Sequence, residues 1–383
     1  MRVLSRPAPT AAAILLTSAV VAGCGGAAGS SGTGPSGAGS GATATATAPL
    51  VLVTFSGESD KGGNHPINSL SGVTASGQLL TDLATGGPEL AEPRGMSFDG
   101  AGRLYLANAK KDRSQIVRYV PAQSPGHYQG GTVFADPSTT AGISHPYATA
   151  FARNGDLLIS SQDTYLVSRV TPAGTTAPTS PALGSAAYTG FDFFPGTWAP
   201  AAERTKVANP PQQVPTSAGG LKAPRSVAVF DNRMFVADSD DASVKSYDLT
   251  TGEFLGAALA NADGRPTGLV LGRRPGIPTS TVLYVGLQDS NRIVAVDIAR
   301  CSANCASTVF AKDGTGGIPL KAPSGLAVVQ DKGGTALLAA SRKGFAINRY
   351  SLDSDGPSSA SVLIADLPDT PEQLLAVNQG AQP

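Results

Sequence analysis

The sequence predicts an all-β fold in which one four-stranded unit is repeated around a ring, and three observations support this. The 383 residues include 46 glycines and 29 prolines, which suits a chain with many turns, and only 15% are charged. The stretch 224–255 contains four short apolar runs separated by turn residues, the pattern of an antiparallel sheet. Degenerate copies of this stretch recur along the chain, and such a sheet needs copies as neighbours because it cannot bury both faces alone.

Each copy begins with a proline that precedes a strand of small and apolar residues. The prolines are Pro93, Pro146, Pro224, Pro266, Pro323 and Pro371. Four of the five intervals between them are close to the length of a propeller blade, and the long interval holds an insertion at 174–222. The second strands are continuous apolar runs at Leu50–Phe55, Leu104–Ala107, Leu157–Ser160, Met234–Ala237, Leu283–Gly286 and Leu337–Ala340. Six copies predict a six-bladed β-propeller with four antiparallel strands in each blade.

The sixth copy is divided between the two ends of the repeat region. Pro371–Val377 provides a first strand, and Leu50–Phe55 provides a second strand that has no first strand before it. Ile67–Leu70 and Leu79–Leu83 follow as the outer strands of the same blade. We therefore expect the terminal strands to pair, which would close the ring and remove exposed edges. The predicted propeller spans 50–378 and leaves a tail at 379–383.

Several motifs of the repeat resemble those of NHL-repeat β-propellers. The best matches are Pro93–Gly95 with Gly102–Tyr105, Phe235–Asp238, and Asp289–Ile293. No single blade has every element, so the resemblance is one of architecture. It extends distantly to the gluconolactonase (senescence marker protein) propellers and the peptide-amidating lyases, which bind a catalytic metal at the channel mouth. Because a fold does not fix a function, this relation supplies an alternative: a metal-dependent hydrolase, lactonase or lyase with a divalent cation such as Ca²⁺.

The N-terminal segment predicts export. Arg2 and Arg6 precede a short apolar run, Ala11–Ala22, which is too short for an ordinary spanning helix. The run ends in Val21–Cys24, which resembles the bacterial lipoprotein box with Cys24 as the acylated residue. An ordinary secretory signal with a chance cysteine is the alternative. Residues 1–23 are then a signal peptide, and 24–49, rich in Gly, Ala, Ser and Thr, form a flexible tether.

Charge and cysteine content narrow the function classes. The chain has 28 basic and 28 acidic residues and no basic stripe with interleaved aromatics, so nucleic acid is not an expected partner. Only Cys301 and Cys305 follow Cys24, and no further zinc ligands stand beside them. We expect a structural disulfide that clips the hairpin between a third and a fourth strand.

Loops on one face of a propeller surround the channel mouth, and they supply the candidate ligand-binding residues. Those at the starts of first strands are Glu92, Arg94, His145, Tyr147, Arg225 and Arg265, with Glu372 at the last strand. Loops between second and third strands add Asp60, His65, Lys110, Asp112, Asp163, Asp238, Asp240, Asp289 and Arg342. A solvated rim is the alternative for each. No hydrolase, zinc-protease or phosphate-loop motif is present, so the sequence contains no assembled catalytic set.

Two oxygen-rich stretches were considered as metal sites. Glu58–Asp60 falls where the gluconolactonase-like family has a glutamate ligand, but the proline and tryptophan that follow it in the family are absent. Asp238 and Asp240 offer oxygen ligands of the kind calcium prefers, although the stretch is not an EF-hand loop. The sequence alone therefore assigns no metal ligands.

The insertion carries an aromatic cluster that includes Phe193, Phe194 and Trp198. These residues either complete the outer strand of the third blade, predicted at Ser185–Phe191, and pack its long loop, or they form a lid over the channel mouth.

From the repeat, the N-terminal segment and the loop residues together, we expect a monomeric, exported, lipid-anchored binding module on the outer face of a bacterial cytoplasmic membrane. Its partner would be a small molecule, a peptide or another envelope protein, and a purely structural scaffold is a further alternative.

Overall fold

The computed structural model describes residues 48–56, 68–140, 142–174, 219–250, 252–275, 277–353 and 359–377, whose strands form six sheets. The first sheet contains β1 (Val51–Ser56), β2 (Asn68–Val73), β3 (Leu79–Leu80) and β24 (Pro371–Ala376). The second contains β4 (Ala84–Thr85), β5 (Pro93–Phe98), β6 (Leu104–Asn108), β7 (Gln115–Pro121) and β8 (Tyr128–Ala135). The third contains β9 (Pro146–Phe151), β10 (Leu157–Ser161) and β11 (Leu166–Val170).

The remaining three sheets have four strands each. The fourth contains β12 (Pro224–Phe230), β13 (Arg233–Asp238), β14 (Ser243–Asp248) and β15 (Phe254–Leu259). The fifth contains β16 (Pro266–Arg274), β17 (Ile277–Leu287), β18 (Arg292–Asp297) and β19 (Ser307–Lys312). The sixth contains β20 (Pro323–Asp331), β21 (Gly334–Ser341), β22 (Ala346–Ser351) and β23 (Ala360–Ile364). One-turn 3-10 helices lie at Lys111–Arg113, Gln162–Thr164, Thr315–Gly317 and Arg342–Gly344.

The six inner strands are neighbours around a closed ring in the order β24, β5, β9, β12, β16, β20 and back to β24. Each begins at one of the six predicted prolines. Proline lacks a backbone N–H and is tolerated at the first position of an edge strand, which the inner edge of each sheet provides. The predicted six-bladed β-propeller is confirmed.

The ring is closed by the two ends of the repeat region, as predicted. β1 pairs antiparallel with β24, with Val51 opposite Ala376 and Val53 opposite Leu374. The other edge of β1 pairs with β2. The inner strand of the first sheet therefore comes from the C-terminal end of the repeat region, after the strands of all the other sheets.

Alternation along the second strands explains why they read as continuous apolar runs. Val51, Val53 and Phe55 pack against the sixth sheet, whereas Leu52 packs against the second sheet. The same division occurs in β17, where Leu283 and Val285 face the fourth sheet and Val282 and Tyr284 face the sixth. Successive side chains of a strand point to opposite faces, so a strand between two blades is buried on both sides. Six apolar clusters fill the six interfaces between neighbouring blades.

Two sheets depart from the four-stranded pattern. The second has a short additional strand, β4, which pairs parallel to β8 outside the blade. The third shows three strands within the described residues, and its predicted outer strand, Ser185–Phe191, lies outside them. Cys24, the tether up to Thr47 and the aromatic residues Phe193, Phe194 and Trp198 of the insertion also lie outside the described part of the chain. No helix in the described part is long and apolar enough to cross a membrane.

The predicted disulfide is present. Cys301 and Cys305 are bonded, with their Cα atoms 5.6 Å apart, in the loop between β18 and β19. Arg233 of the neighbouring blade donates hydrogen bonds to the carbonyl oxygens of Cys301 and Ile298, at 2.6 and 2.7 Å. The clipped loop therefore also ties the fourth and fifth blades together.

Candidate functional site

One face of the ring collects the residues that directly follow the six prolines. In ring order they are Glu372, Arg94, Tyr147, Arg225, Thr267 and Ser324. Four neighbouring blades therefore present large charged or aromatic side chains, and the other two present small hydroxyl groups. Thr267 and Ser324 use these hydroxyls to hydrogen-bond the carbonyl oxygens of Pro323 and Pro371, at 2.9 and 3.1 Å, which ties adjacent inner strands together.

Glu372 is the centre of a buried ion-pair cluster. One carboxylate oxygen accepts hydrogen bonds from Arg94 Nη1 at 3.0 Å and from the Tyr147 hydroxyl at 2.6 Å. The other oxygen accepts a hydrogen bond from Arg342 Nε at 2.8 Å. Glu372, Arg94 and Tyr147 are only 2–4% exposed. We call Arg94, Tyr147, Arg342 and Glu372 the arginine–glutamate plug, because these side chains from four blades fill the channel at this end.

The electrostatics of the plug favour an ionised Glu372. Burial by itself would raise the pKa of this carboxyl group, but the charges of Arg94 and Arg342, the Tyr147 hydrogen bond and, to a smaller extent, the charge of Arg225 lower the pKa to about 2. Burial and the neighbouring carboxylate raise the pKa of Tyr147, so its hydroxyl stays protonated and donates. Burial lowers the pKa of Arg94, an effect outweighed by the carboxylate of Glu372, and the net shift is upward. Both oxygens of Glu372 are thus committed to groups of the protein.

Arg225 differs from the two arginines of the plug. Its guanidinium carbon lies 4.6 Å from the centroid of the Tyr147 ring, where cation–π attraction operates. The residue is half-buried, and its buried Nε has no hydrogen-bond partner in the part of the chain that the structure describes. Among the described residues it forms no ion pair, whereas Arg94 and Arg342 both pair with Glu372. Arg225 therefore keeps uncommitted hydrogen-bond donors beside the plug.

His145 lies in the same loop layer between two carboxylates. Its Nε2 is 3.6 Å from a carboxylate oxygen of Glu92, and its Nδ1 is 3.5 Å from one of Asp163. Neither buried ring nitrogen has a hydrogen-bond partner in the described part of the chain. Glu92 also lies 3.7 Å from Arg94, which connects this group to the plug. The predicted meeting of both sets of loops on one face is thus observed.

Other candidates from the sequence sit at the rim. Arg265 and Asp289 form a two-pronged ion pair with N–O distances of 2.8 and 2.9 Å, and both side chains are about half exposed. Lys110 and Asp112 belong to the exposed loop around the 3-10 helix Lys111–Arg113. The solvated-rim reading fits these four residues better than a ligand-binding one.

The calcium interpretation of Asp238 is wrong. Asp238 is fully buried, and its oxygens accept hydrogen bonds from the backbone N–H groups of Lys222 and Ala223 at 2.8–3.1 Å. The Lys245 ammonium lies 2.8 Å from Asp238 and 2.8 Å from Asp241, in the place that a cation would take. This aspartate therefore fixes the loop that leads into β12.

Metal ligation at the mouth finds no support in the residues described. Within them, no group of three or more His, Cys, Asp or Glu side chains is arranged to hold a metal ion. Glu58, Asp60, His65, Phe193, Phe194 and Trp198 lie outside those ranges, so the predictions made for them stay predictions.

Below the plug, the inner strands enclose a cavity of about 670 Å³, which we call the channel pocket. Its lining begins at the second residue after the prolines, at Gly95, Ala148, Ser226 and Gln373, and reaches the exposed hairpin of the second blade at Asp99–Gly102. The pocket therefore lies between the level of the plug and the opposite face of the ring. Sequence reasoning directed attention to the other face and missed it.

Comparison with known proteins identifies the fold. No known family profile matches the sequence, and no curated protein matches it. A chain from the nidogen/laminin complex aligns with a TM-score of 0.55 at 12% identity, covering 86% of this chain and 99% of that one. A putative 6-phosphogluconolactonase from Bacteroides fragilis aligns with a TM-score of 0.48 at 13% identity, covering 88% and 99%. Virginiamycin B lyase from Staphylococcus aureus aligns with a TM-score of 0.45 at 13% identity, covering 73% of each chain.

What the chain from the nidogen/laminin complex shares with this chain is the fold. Identities of 12–13% are too low to transfer an activity or a ligand, since β-propellers host many unrelated functions. The function must therefore be argued from the site itself.

Proposed function

We propose that this protein is a ligand-binding β-propeller whose channel mouth binds the anionic group, a carboxylate or a phosphate, of a small molecule or peptide. The observation that carries the proposal is Arg225, a half-buried guanidinium with no ion pair among the described residues. A charge taken partly out of water without a partner is costly. The planar guanidinium matches carboxylate and phosphate oxygens in a two-pronged geometry, so a bound anion would offset that cost.

The arrangement of the neighbours supports this role. Glu372 is saturated by Arg94, Arg342 and Tyr147, so it does not neutralise Arg225 through a direct contact. The ring of Tyr147 lies under the Arg225 guanidinium, and this restricts its orientation before a ligand arrives. Rigid donors beside a buried plug form a site that needs little reorganisation on binding.

Titration with inorganic phosphate and with the dipeptide acetyl-Ala-Ala, compared with its C-terminal amide, tests the proposal at constant ionic strength. We expect Arg225→Met to weaken anion binding by about tenfold to a hundredfold, because a hydrogen bond to a charged group contributes about 1.5–3 kcal/mol. Arg153→Met is the matched control, since Arg153 is 75% exposed and pairs with Asp231 on a hairpin of the opposite face. Equal anion affinities for Arg225→Met and the parent protein would contradict the proposal.

We further propose that the insertion covers this site. The described chain resumes at Gly219 and leads directly into β12, whose second residue is Arg225, so the end of the insertion adjoins the mouth. Phe193, Phe194 and Trp198 would then form an apolar wall for the ligand. Because Trp198 is the only tryptophan, its fluorescence should shift when acetyl-Ala-Ala binds. Deleting residues 197–216 should abolish binding and leave the propeller folded by circular dichroism; retained binding would refute the lid.

The cellular setting is a separate proposal supported by the sequence alone. The Val21–Cys24 box and the uncharged tether at 25–49 favour a lipid-anchored protein displayed outside the cytoplasmic membrane. A module in that position would bind its ligand or a partner protein at the cell envelope.

A further inference from the structure

The lining of the channel pocket is almost free of ionisable side chains. Asp99 is the one ionisable residue in its lining, and it lies in the exposed hairpin at the open end, where it pairs with Arg103. The walls combine apolar side chains, among them Met96, Leu269, Leu326 and Leu374, with an equal share of polar surface that carries no formal charge away from Asp99. A charged ligand would lose its hydration there without gaining a counter-ion, so the pocket suits a neutral molecule.

The inner end of the pocket carries an unsatisfied hydrogen-bond donor. Gln373 is 7% exposed and lines the pocket, and its side-chain Nε2 has no hydrogen-bond partner among the described residues. Leaving a buried donor unpaired costs free energy, and native structures rarely do so without a reason. An acceptor atom supplied by a ligand would satisfy this amide.

Gln373 also breaks the pattern of the inner strands. The second residue after the proline is small in the other five blades: Gly95, Ala148, Ser226, Gly268 and Gly325. Small residues are needed where adjacent inner strands approach closely, and a Cβ placed on Gly268 would lie 1.7 Å from the carbonyl oxygen of Ser324. The first blade instead places a long amide at this level of the ring. The nearby hydroxyls of Ser97 and Thr149 are hydrogen-bonded to each other at 2.8 Å, whereas Gln373 Nε2 is the lining donor that is fully buried without a partner among the described residues.

We propose that the channel pocket is a second binding site, distinct from the anion site at the mouth, for a neutral molecule that carries a carbonyl or ether acceptor. The ligand enters from the face of the β5–β6 hairpin, inserts its polar end first, and accepts a hydrogen bond from Gln373 Nε2. A volume of about 670 Å³ falls within the range of small-molecule sites.

Benzophenone and diphenylmethane provide a test, because they have nearly the same shape and only the first has a carbonyl. We expect the parent protein to bind benzophenone about tenfold more tightly, the effect of one satisfied hydrogen bond. Gln373→Leu should bring the two affinities together, whereas Gln129→Leu, at an exposed position of β8, should keep the difference. Irradiation of bound benzophenone should label C–H groups of the inner strands, located by peptide mass spectrometry.

Three outcomes would overturn the proposal. They are equal affinity for both probes in the parent protein, an unchanged difference in folded Gln373→Leu, and labelling confined to outer strands or absent at saturating probe. If Gln373→Leu does not fold, the positions labelled in the parent protein decide whether the proposal holds. Inorganic phosphate should not compete with benzophenone; competition would show one shared site and refute a distinct channel pocket, while failure of phosphate binding alone would leave it standing.

Discussion

Replacing Glu372 by glutamine tests whether the arginine–glutamate plug depends on charge or merely on shape. Glutamine keeps the size of the side chain but leaves the buried Arg94 and the partly buried Arg342 without their carboxylate. Removing one partner of a buried ion pair typically costs about 3–5 kcal/mol, because the remaining charge is uncompensated. We expect urea unfolding curves at about neutral pH to show a loss of this order.

The pH dependence of that loss gives an independent magnitude. The plug lowers the pKa of Glu372 from an ordinary 4.5 to about 2, and each tenfold change in protonation is worth about 1.4 kcal/mol, so ionised Glu372 contributes on the order of 3 kcal/mol. Since the pKa is lower in the folded state, this contribution is complete above the ordinary carboxyl range. It is lost as the pH falls from about 4.5 toward about 2.

The assay is the difference in unfolding free energy between Glu372→Gln and the parent protein across that pH range. We expect the difference to shrink as the pH falls, because the parent then also loses its buried carboxylate. Glu89→Gln is the control: Glu89 pairs with Arg113 but is 76% exposed, and solvent screens such surface pairs. A difference that stays constant from neutral to acidic pH would refute the electrostatic account of the plug.

Three further predictions concern the ends of the chain and the disulfide. Membrane-extracted protein should have a mass that begins at a diacylglyceryl-modified Cys24, and Cys24→Ser should be released in soluble form; cleavage elsewhere would contradict the lipoprotein box. Denatured, unreduced protein should show no free thiol at Cys301 or Cys305. Their replacement by alanine should cost less than the roughly 3 kcal/mol of a 15-residue loop. Truncation after Thr370 removes β24 and should lower the unfolding midpoint sharply, while truncation of the tether up to Ala48 should not; an unchanged midpoint would refute the role of β24 in closing the ring.

The architecture could be predicted because its signals are local and repeated. Each inner strand starts at a proline, and each second strand is buried by two neighbouring blades, so the same short pattern recurs six times. The split blade also followed from the pattern, since Leu50–Phe55 lacked a preceding first strand and Pro371–Val377 lacked a second. The short parallel strand β4 carries no such signal, because two residues are too few for a period.

The sequence predicted which face of the ring holds the candidate residues, but not which of these residues contact one another. Arg94 and Glu372 are 278 residues apart in the chain, and nothing near either residue indicates that they meet. Polar residues in propeller loops are ordinarily solvated, so their burial could be recognised only once the blades were positioned. Gln373 could have been found, because it is the one long side chain among the second residues of the six first strands.

The position of β24 in the chain has a consequence for biosynthesis. This strand leaves the ribosome after every other strand of the ring, yet it carries Glu372 of the plug and Gln373 of the pocket, and it covers the open edge of β1. Until it docks, the nascent chain has an exposed strand edge at β1 and neither of the two candidate sites is complete. Incomplete or C-terminally truncated chains should therefore fail to bind the proposed ligands and should be more susceptible to proteolysis than the full chain.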